Sequence, residues 1–393
     1  MKYVNAKDVL PQELIEQLQN YVQGSYVYIP KKEDTIKSSD KKTDYRIELE
    51  KRNAHIYLKY LQNWSHGQIA KLYHLSLPSI RRIILEQRKR AGALENMIKK
   101  VLSQWNFKEE IQIKQCHNHV WEIDSKYMIK VYESEETLQR NLAILKVLRL
   151  HNVPVSSILP TKDNRDYVED NGQYYVVTQK VTGEHLRNIR NEKLAYQMGV
   201  ALGQLHVALS QCEKQIEFWD NNLLDEMHGW IKEKFVQNEW SIVSETDFTN
   251  TCNQLEKIYD KLPKQLIHRD VHSGNFLFEN NEFSGYIDFD LSQKNIRIFD
   301  IGYFLAGLLT EENGAFMKDD EWLLVCKQVV KGYESKNKLE EVEKQALSYV
   351  MEGIELLFAA YFISVEDTRC ALDAIKVYQY VRNLEEKIYR AVK

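Results

Sequence analysis

The sequence predicts an α+β protein: a body of two lobes, strand-rich first and mostly helical after, preceded by a small, mainly α helix-turn-helix domain. Three observations carry this reading. Short strand-like runs crowd residues 111–181, whereas long amphipathic stretches fill most of the chain from residue 193 onward. A dense polar cluster interrupts the apolar stretch Leu266–Asp290, LIHRDVHSGNFLFENNEFSGYIDFD, in the middle of the helical part. Charge is also unevenly spread. The first hundred residues hold 19 basic against 11 acidic side chains, and the remainder holds 34 against 46. A basic unit with an anionic partner therefore precedes an acidic body that has none.

At 393 residues the chain is long for one domain. We place the boundaries at 1–100 for the basic module, 101–182 for the strand-rich lobe and 183–393 for the helical lobe. With 44% hydrophobic and 28% charged residues, most of the chain should fold. Five scattered cysteines without a CxxC pair read as reduced. Met1–Gln23 has no long apolar core, so no signal peptide is expected. The longest apolar candidate for a membrane span, Gly353–Ser364, is too short and carries Glu355. These features predict a cytoplasmic protein with no membrane partner.

Asn5–Tyr21 has helical periodicity, with Val9, Leu10, Leu14 and Leu18 on one face and Pro11 in the first turn. A short strand, Tyr26–Ile29, follows Gly24 and stops at Pro30. Lys31–Asp44 is charged and nearly free of apolar residues, which predicts a flexible linker. From Arg46 to about Asn63 the pattern is helical. Ser65 then caps a two-turn helix, His66–Tyr73, with Gln68 at the capping-box spacing. His74–Ser76 turns the chain into a third helix, Leu77–Arg90. Ile69, Ala70, Leu75, Ile80 and Ile83 are its expected core. That helix presents Ser79, Arg81 and Arg82 outward and ends in Arg88-Lys89-Arg90, donors suited to phosphate oxygens and guanine edges. DNA is the expected partner; the plainer alternative is a solvated face on a docking or dimerisation module. The segment Tyr21–Lys31, YVQGSYVYIPK, followed by the helix-turn-helix, resembles Mor-type transcription activators over the first 90 residues. That resemblance implies dimerisation through the helix-plus-strand segment, hence a homodimer, and DNA contact through the helix-turn-helix.

In the body, Ile111–Lys114, Val120–Asp124 and Tyr127–Tyr132 read as strands. Lys130 lies inside the third, where a lysine needs a partner such as a nucleotide phosphate, unless it sits at a solvated edge. Glu135–His151 is helical, Tyr174–Val181 is a strand, and Lys193–Leu209 is a helix on which His206 reads as a hydrogen-bonded core residue. Beyond Asp290, helices are expected over Ile301–Leu309, Trp322–Tyr333, Leu339–Ile363 and Cys370–Val392.

The stretch Leu266–Asp290 carries the chemistry. Its polar residues follow the spacing His-x-Asp-x4-Asn, with a further Asp thirteen residues on, between an apolar run and a hairpin. Phosphoryl transfer needs a carboxylate to orient and deprotonate the attacking hydroxyl, and Asp270 fits. It also needs hard oxygen ligands for Mg2+, which Asn275 and Asp288 supply. The alternative is that these are loop polars capping turns.

Those motifs are similar to the aminoglycoside phosphotransferase/choline kinase family, whose fold is protein-kinase-like, over about residues 111–365. The resemblance implies ATP (or GTP) and Mg2+ as cofactors and a small hydroxylated molecule as substrate. It further implies Lys130 on the α/β phosphates and the segment Val177–Val181, with Gln179 and Val181, receiving the base. His268 would be structural, and Asp300 would brace the catalytic loop. Two positions depart from the family. Asn141 stands where its glutamate pairs with the strand lysine, with Glu135 or Glu136 as substitutes. The turn Cys116–His119 lacks glycine. These departures keep open a second reading, a transcription regulator whose kinase-like domain senses ligand with weak or no catalysis. A protein kinase proper is disfavoured, because Asp288-Phe289-Asp290 replaces DFG and no APE-like segment follows. In this family the acceptor binds among the C-terminal helices, where Glu352, Glu355 and Asp367 stand. They could attract an amine-bearing substrate, although ordinary solvated helix charges are the simpler expectation.

Overall fold

A computed structural model of the chain describes residues 11–19, 49, 52–57, 59–60, 64–73, 75–107, 110–117, 119–185, 189–213, 216–280, 282–310 and 317–393. It divides into two compact units, Met1–Met97 and Ile98–Lys393.

In the first unit, Pro11 opens helix α1 (Gln12–Gln19), its carbonyl accepting from the amides of Leu14 and Ile15. Helix α2 (His66–Leu72) starts on a reciprocal capping box: Gln68 donates its amide to the Ser65 hydroxyl, and the Gln68 side chain accepts from the Ser65 amide at 2.9 Å. Helix α3 runs Leu77–Leu102, beginning where Ser76 accepts the Ser79 amide. It passes its expected end at Arg90, because Ala91-Gly92-Ala93-Leu94 offers no stop beyond the modest cost of one glycine. Ile56, Ile69, Ile80, Ile83 and Ile84 form a buried cluster on which Ala70, Tyr73 and Leu75 pack. The expected strand Tyr26–Ile29, the segment Tyr21–Lys31, the linker Lys31–Asp44, His74 and parts of the two flanking helices lie outside the described residues.

The second unit begins with an antiparallel sheet of five strands in the order β1-β2-β3-β5-β4. The strands are β1 (Ile113–His117), β2 (Val120–Ile123), β3 (Tyr127–Tyr132), β4 (Tyr167–Asp170) and β5 (Gln173–Gln179). Lys130 pairs with Val120 on one side and Val176 on the other, so it stands on the central strand and not at a solvated edge. Helix α4 (Glu135–Leu150), capped by Ser134, crosses between β3 and β4.

The helical part contains α5 (Glu192–Cys212), α6 (Leu223–Glu226), α7 (Lys232–Gln237), α8 (Glu245–Glu256), α9 (Ile298–Gly307), α10 (Asp319–Glu334) and α11 (Glu341–Ser364). The stretch expected as one helix to Val392 is two, α12 (Thr368–Asn383) and α13 (Glu385–Val392), broken at Leu384. Helices α5 and α10 pack at backbone distance. A Cβ on Gly199 would come within 1.9 Å of the Val329 carbonyl oxygen, and one on Gly332 within 2.1 Å of that of Tyr196. Only glycine permits this crossing. Between the helices lie two small antiparallel pairs, β6 (Lys264–Ile267) with β9 (Gln293–Ile296), and β7 (Phe276–Glu279) with β8 (Glu282–Tyr286). They present the loop after β6 and the loop after β8 side by side.

Among the described residues, one helix is long and apolar enough to cross a membrane. It is α11, longer than the Gly353–Ser364 segment considered from sequence, and 67% of its apolar window is buried inside the fold. Its length serves the core, against α9, α8 and α12. All five cysteines are free.

Candidate active site

The loop after β6 is held from behind by one buried carboxylate. Asp300, fully buried on α9, accepts the backbone amides of His268 and Arg269, each at 2.9 Å. The same carboxylate accepts His206 Nε2 at 3.0 Å, and Tyr333 meets the other ring nitrogen at 2.9 Å. His206 is thus a fully buried, doubly hydrogen-bonded core residue. These bonds fix Arg269 at φ 66°, a left-handed conformation that non-glycine residues seldom hold.

His268, itself buried, ties this loop to the second one. Its Nε2 lies 3.2 Å from the Ile287 carbonyl, its Nδ1 accepts the Asp270 amide at 3.3 Å, and its ring rests on Phe289 at 4.6 Å. Burial lowers its pKa, so the ring stays neutral. The Arg269 guanidinium pairs with Glu226 at 3.0 and 3.3 Å and lies over Phe299. It is a fixed brace.

On this frame Asp270 faces outward, half-buried. The Tyr303 hydroxyl donates to its Oδ1 at 2.9 Å, the Asn275 amide donates to its Oδ2 at 2.9 Å, and His272 stands 3.6 Å away. Burial alone would raise the Asp270 carboxyl, but the neighbouring His272 and the Tyr303 hydrogen bond outweigh it and hold the group at about 2. It is a carboxylate at any working pH, with its orientation set from two sides. Sequence reasoning missed Tyr303, which lies in an apolar helix 33 residues from its partner, and His272, although His272 falls inside the motif itself.

Asn275 spends its amide nitrogen on Asp270, both on the backbone oxygen and on the side chain. Its Oδ1 accepts no hydrogen bond from a described residue and is available as a hard oxygen donor. Asp288 sits at φ 62° with its side chain half exposed. Among the described residues no group of three or more acidic, histidine or cysteine side chains could hold a metal by itself. Two oxygen donors with no further protein cage suit Mg2+, which keeps waters and takes phosphate oxygens to complete its octahedron.

Lys130 reaches across from β3. Its Nζ is 3.0 Å from Asp288 Oδ1 and 2.6 Å from Asp290 Oδ2. Burial alone would lower its pKa, but Asp290 and then Asp288 outweigh this and raise it. Asn141 does not meet Lys130; its Nδ2 donates to Asp290 Oδ1 at 3.0 Å. Neither suggested substitute reaches the lysine either. Glu136 pairs with Arg140 at 2.7 Å, and Glu135 accepts the Tyr167 hydroxyl at 2.6 Å. The turn Cys116–His119 closes with His119 at φ 63°, and Asn118 lies outside the described residues. At the far end of the sheet, Ser125, Lys126, Tyr127, Gln179, Val181 and Gly183 line a cavity of about 360 Å3.

The three acidic residues of the C-terminal helices part company. Asp367 caps α12, accepting the Cys370 amide. Glu352 and Glu355 are buried, at 2% and 4% exposure, so neither is a solvated helix charge. Glu352 accepts the Thr251 hydroxyl at 2.7 Å. The carboxyl of Glu355 is hydrogen-bonded by no described residue, and burial pushes it up to about 8. It lies near enough to Tyr303 that its charge, after burial and Asp270, helps raise the Tyr303 hydroxyl. A buried carboxyl that no described residue hydrogen-bonds thus lies within electrostatic reach of the tyrosine that orients Asp270.

Residues 112–324, more than half of the chain, match the phosphotransferase enzyme family. A homoserine kinase of Zymomonas mobilis subsp. mobilis is 24% identical over 242 residues, 59% of this chain and 72% of the relative. The uncharacterized protein YraL of Bacillus subtilis is 36% identical over 84 residues, 21% of this chain and 97% of its own length. Among solved structures, amicoumacin kinase hAmiN in complex with AMP-PNP, Ca2+ and Ami superposes with a TM-score of 0.56 at 16% identity, covering 76% of this chain and 96% of that one. At that identity the likeness is one of fold.

Proposed function

The chain belongs to the phosphotransferase enzyme family, and we propose that it transfers the γ-phosphate of ATP, with Mg2+, to the hydroxyl of a small molecule that also carries a protonated amine. The observation that carries this reading is Asp270: an ionised carboxylate fixed by Tyr303 and Asn275, on a loop that His268 ties to the loop bearing Asp288, which Lys130 reaches.

Asp270 orients the acceptor hydroxyl and takes its proton as the phosphoryl group moves. Lys130 neutralises the α/β phosphates, and the segment Gln179–Val181 borders the space for the base. Asn275 Oδ1 and Asp288 would hold the metal, which when bound would supply charge neutralisation on the phosphates. Glu355 recognises the amine: its buried carboxyl gains a cationic partner only when acceptor arrives. The similarity to a homoserine kinase, whose named acceptor is a hydroxy amino acid with a protonated amine, supports an amine-bearing hydroxyl acceptor.

A screen for phosphoryl transfer over homoserine, choline, simple amino alcohols and aminoglycosides tests this directly. We expect at least one amine-bearing alcohol to turn over and its deaminated analogue to fail. Nucleotide binding without transfer to any acceptor would favour the competing reading, a regulator with a sensing domain, for which Asn141 speaks.

The first unit, in this reading, docks on DNA. Arg81, Arg82 and Arg88 are exposed on α3, and Ser79 is partly so. Changing Arg81 and Arg82 to Ala should weaken duplex binding across sequences. It should also flatten the log–log salt slope by about one for each arginine that neutralises a phosphate. Fluorescence anisotropy at several salt concentrations checks this. Binding indifferent to both salt and these arginines would sink the DNA reading.

A further inference from the structure

Asp290 sits where three elements meet. Its Oδ2 takes Lys130 of β3 at 2.6 Å, and its Oδ1 accepts both Asn141 of α4 at 3.0 Å and the Tyr132 hydroxyl of β3 at 3.3 Å. We propose that Asp290 is the positioning carboxylate for Lys130, and that Asn141 serves it from the helix, so that the lysine's acidic partner has moved from helix to loop. The inference rests on the phosphotransferase reading of the site.

A phosphate-binding lysine has a flexible four-carbon stem that must be held in one place by a nearby carboxylate. In the kinase fold that carboxylate usually comes from the helix beside the sheet. Here that helix offers an amide at the position, and the two glutamates at its start are engaged with Arg140 and Tyr167. Asp288 also touches Lys130, but its carboxylate is needed by the metal once nucleotide is bound. Asp290 remains. Both of its oxygens are used, one on the lysine and one on the two neutral donors, so it is already oriented.

The identity of Asn141 follows from this. A glutamate there would put a second carboxylate against Asp290, and the two charges would repel. An amide turns the same position into a donor. Asn141, 8% exposed, then links the placement of α4 to the lysine through Asp290. A shift of the helix loosens Asp290, and through it Lys130, without any direct bond from helix to lysine.

The test is a relocation of charge in the full-length protein, read by calorimetric affinity for ATP with and without Mg2+ and by steady-state KM and kcat. Asp290→Asn should weaken ATP binding by about tenfold or more in either condition. Asn141→Glu alone should also weaken it, by crowding. The double variant, Asn141→Glu with Asp290→Asn, should recover ATP affinity to within about threefold of wild type, because the carboxylate is restored from the helix side. Thermal melts of all three check that the fold is retained. An Asp290→Asn defect that appears only with Mg2+, is reversed by excess Mg2+ and is not rescued by Asn141→Glu would make Asp290 a metal ligand and overturn the inference. An Asp290→Asn variant with wild-type ATP affinity would overturn it as well. If the wild-type protein binds no nucleotide, the phosphotransferase reading itself falls, and this inference with it.

Discussion

Asp270→Asn should lower kcat by about 10²–10⁴-fold while leaving ATP affinity within a few-fold of wild type. The geometry makes the split sharp. Asp270 is separated from Lys130 by function: the lysine is engaged by Asp288 and Asp290, and no hydrogen bond joins it to Asp270. The asparagine keeps the size of the side chain and one oxygen for Tyr303 or Asn275, so the loop behind it, fastened by Asp300, should not move. The variant lacks the negative charge that orients the hydroxyl and receives its proton. The pH dependence carries the same signature. With Asp270 held at about 2, the carboxylate is present throughout the neutral range. An acid limb in the wild-type kcat/KM profile above about pH 5 must then belong to another group. The check is a steady-state profile over roughly pH 5 to 9 on wild type and variant, with calorimetric ATP binding beside it. A variant that loses ATP affinity and rate together would assign Asp270 to nucleotide binding and not to the chemical step.

Much of this site is legible in the chain because chemistry dictates its spacing. An orienting carboxylate, an amide oxygen and a second carboxylate must converge from two adjacent loops, and a hairpin such as Phe276–Tyr286 is the short way to bring them together. The strands Tyr127–Tyr132 and Gln173–Gln179 announce themselves by apolar, β-branched and aromatic runs. What stays hidden depends on distant parts of the chain. Asp290 reads as a surface residue until Lys130 and Asn141, about 150 residues away, are folded onto it. Strand β9, Gln-Lys-Asn-Ile, has no strand signature; it exists because Gln293–Ile296 pairs with the apolar Ile267–Lys264 edge and buries Asn295 against the Tyr259 hydroxyl. The run Leu223–Glu256 breaks into short helices that no long periodic pattern marks. Glu352 and Glu355 read as solvated because a helix with a glutamate every turn usually shows it to water. Here residues 350–356 of the helix are all buried, and the carboxyl groups go in with them.

Glu355→Gln should stabilise the protein and impair it. A buried carboxyl that no described residue hydrogen-bonds is a cost that folding bears for a reason outside folding. The sign follows from linkage. Glu355 is raised from an ordinary glutamate value to about 8, so the folded state binds a proton that the unfolded state has already released. Stability from this group is therefore greatest at acid pH, falls as pH rises from about 4.5 to about 8, and is flat above. Glutamine has no charge to bury. The difference between variant and wild type should be small near pH 5 and grow to at most about 5 kcal/mol above about pH 8, taking roughly 1.36 kcal/mol per unit of pKa. A shift of several degrees in Tm at about pH 8.5, against little at about pH 5, is the expected reading of paired thermal melts. The functional half runs the other way. An acceptor ammonium beside Glu355 draws the proton off and pairs with the carboxylate, so the variant should show a raised KM for the amine-bearing acceptor with KM for ATP unchanged. Acceptor binding by wild type should accordingly tighten with pH through the range where Glu355 ionises, and that dependence should vanish in the variant. Stabilisation without any rise in acceptor KM would leave Glu355 a defect of packing and remove the amine from the substrate class.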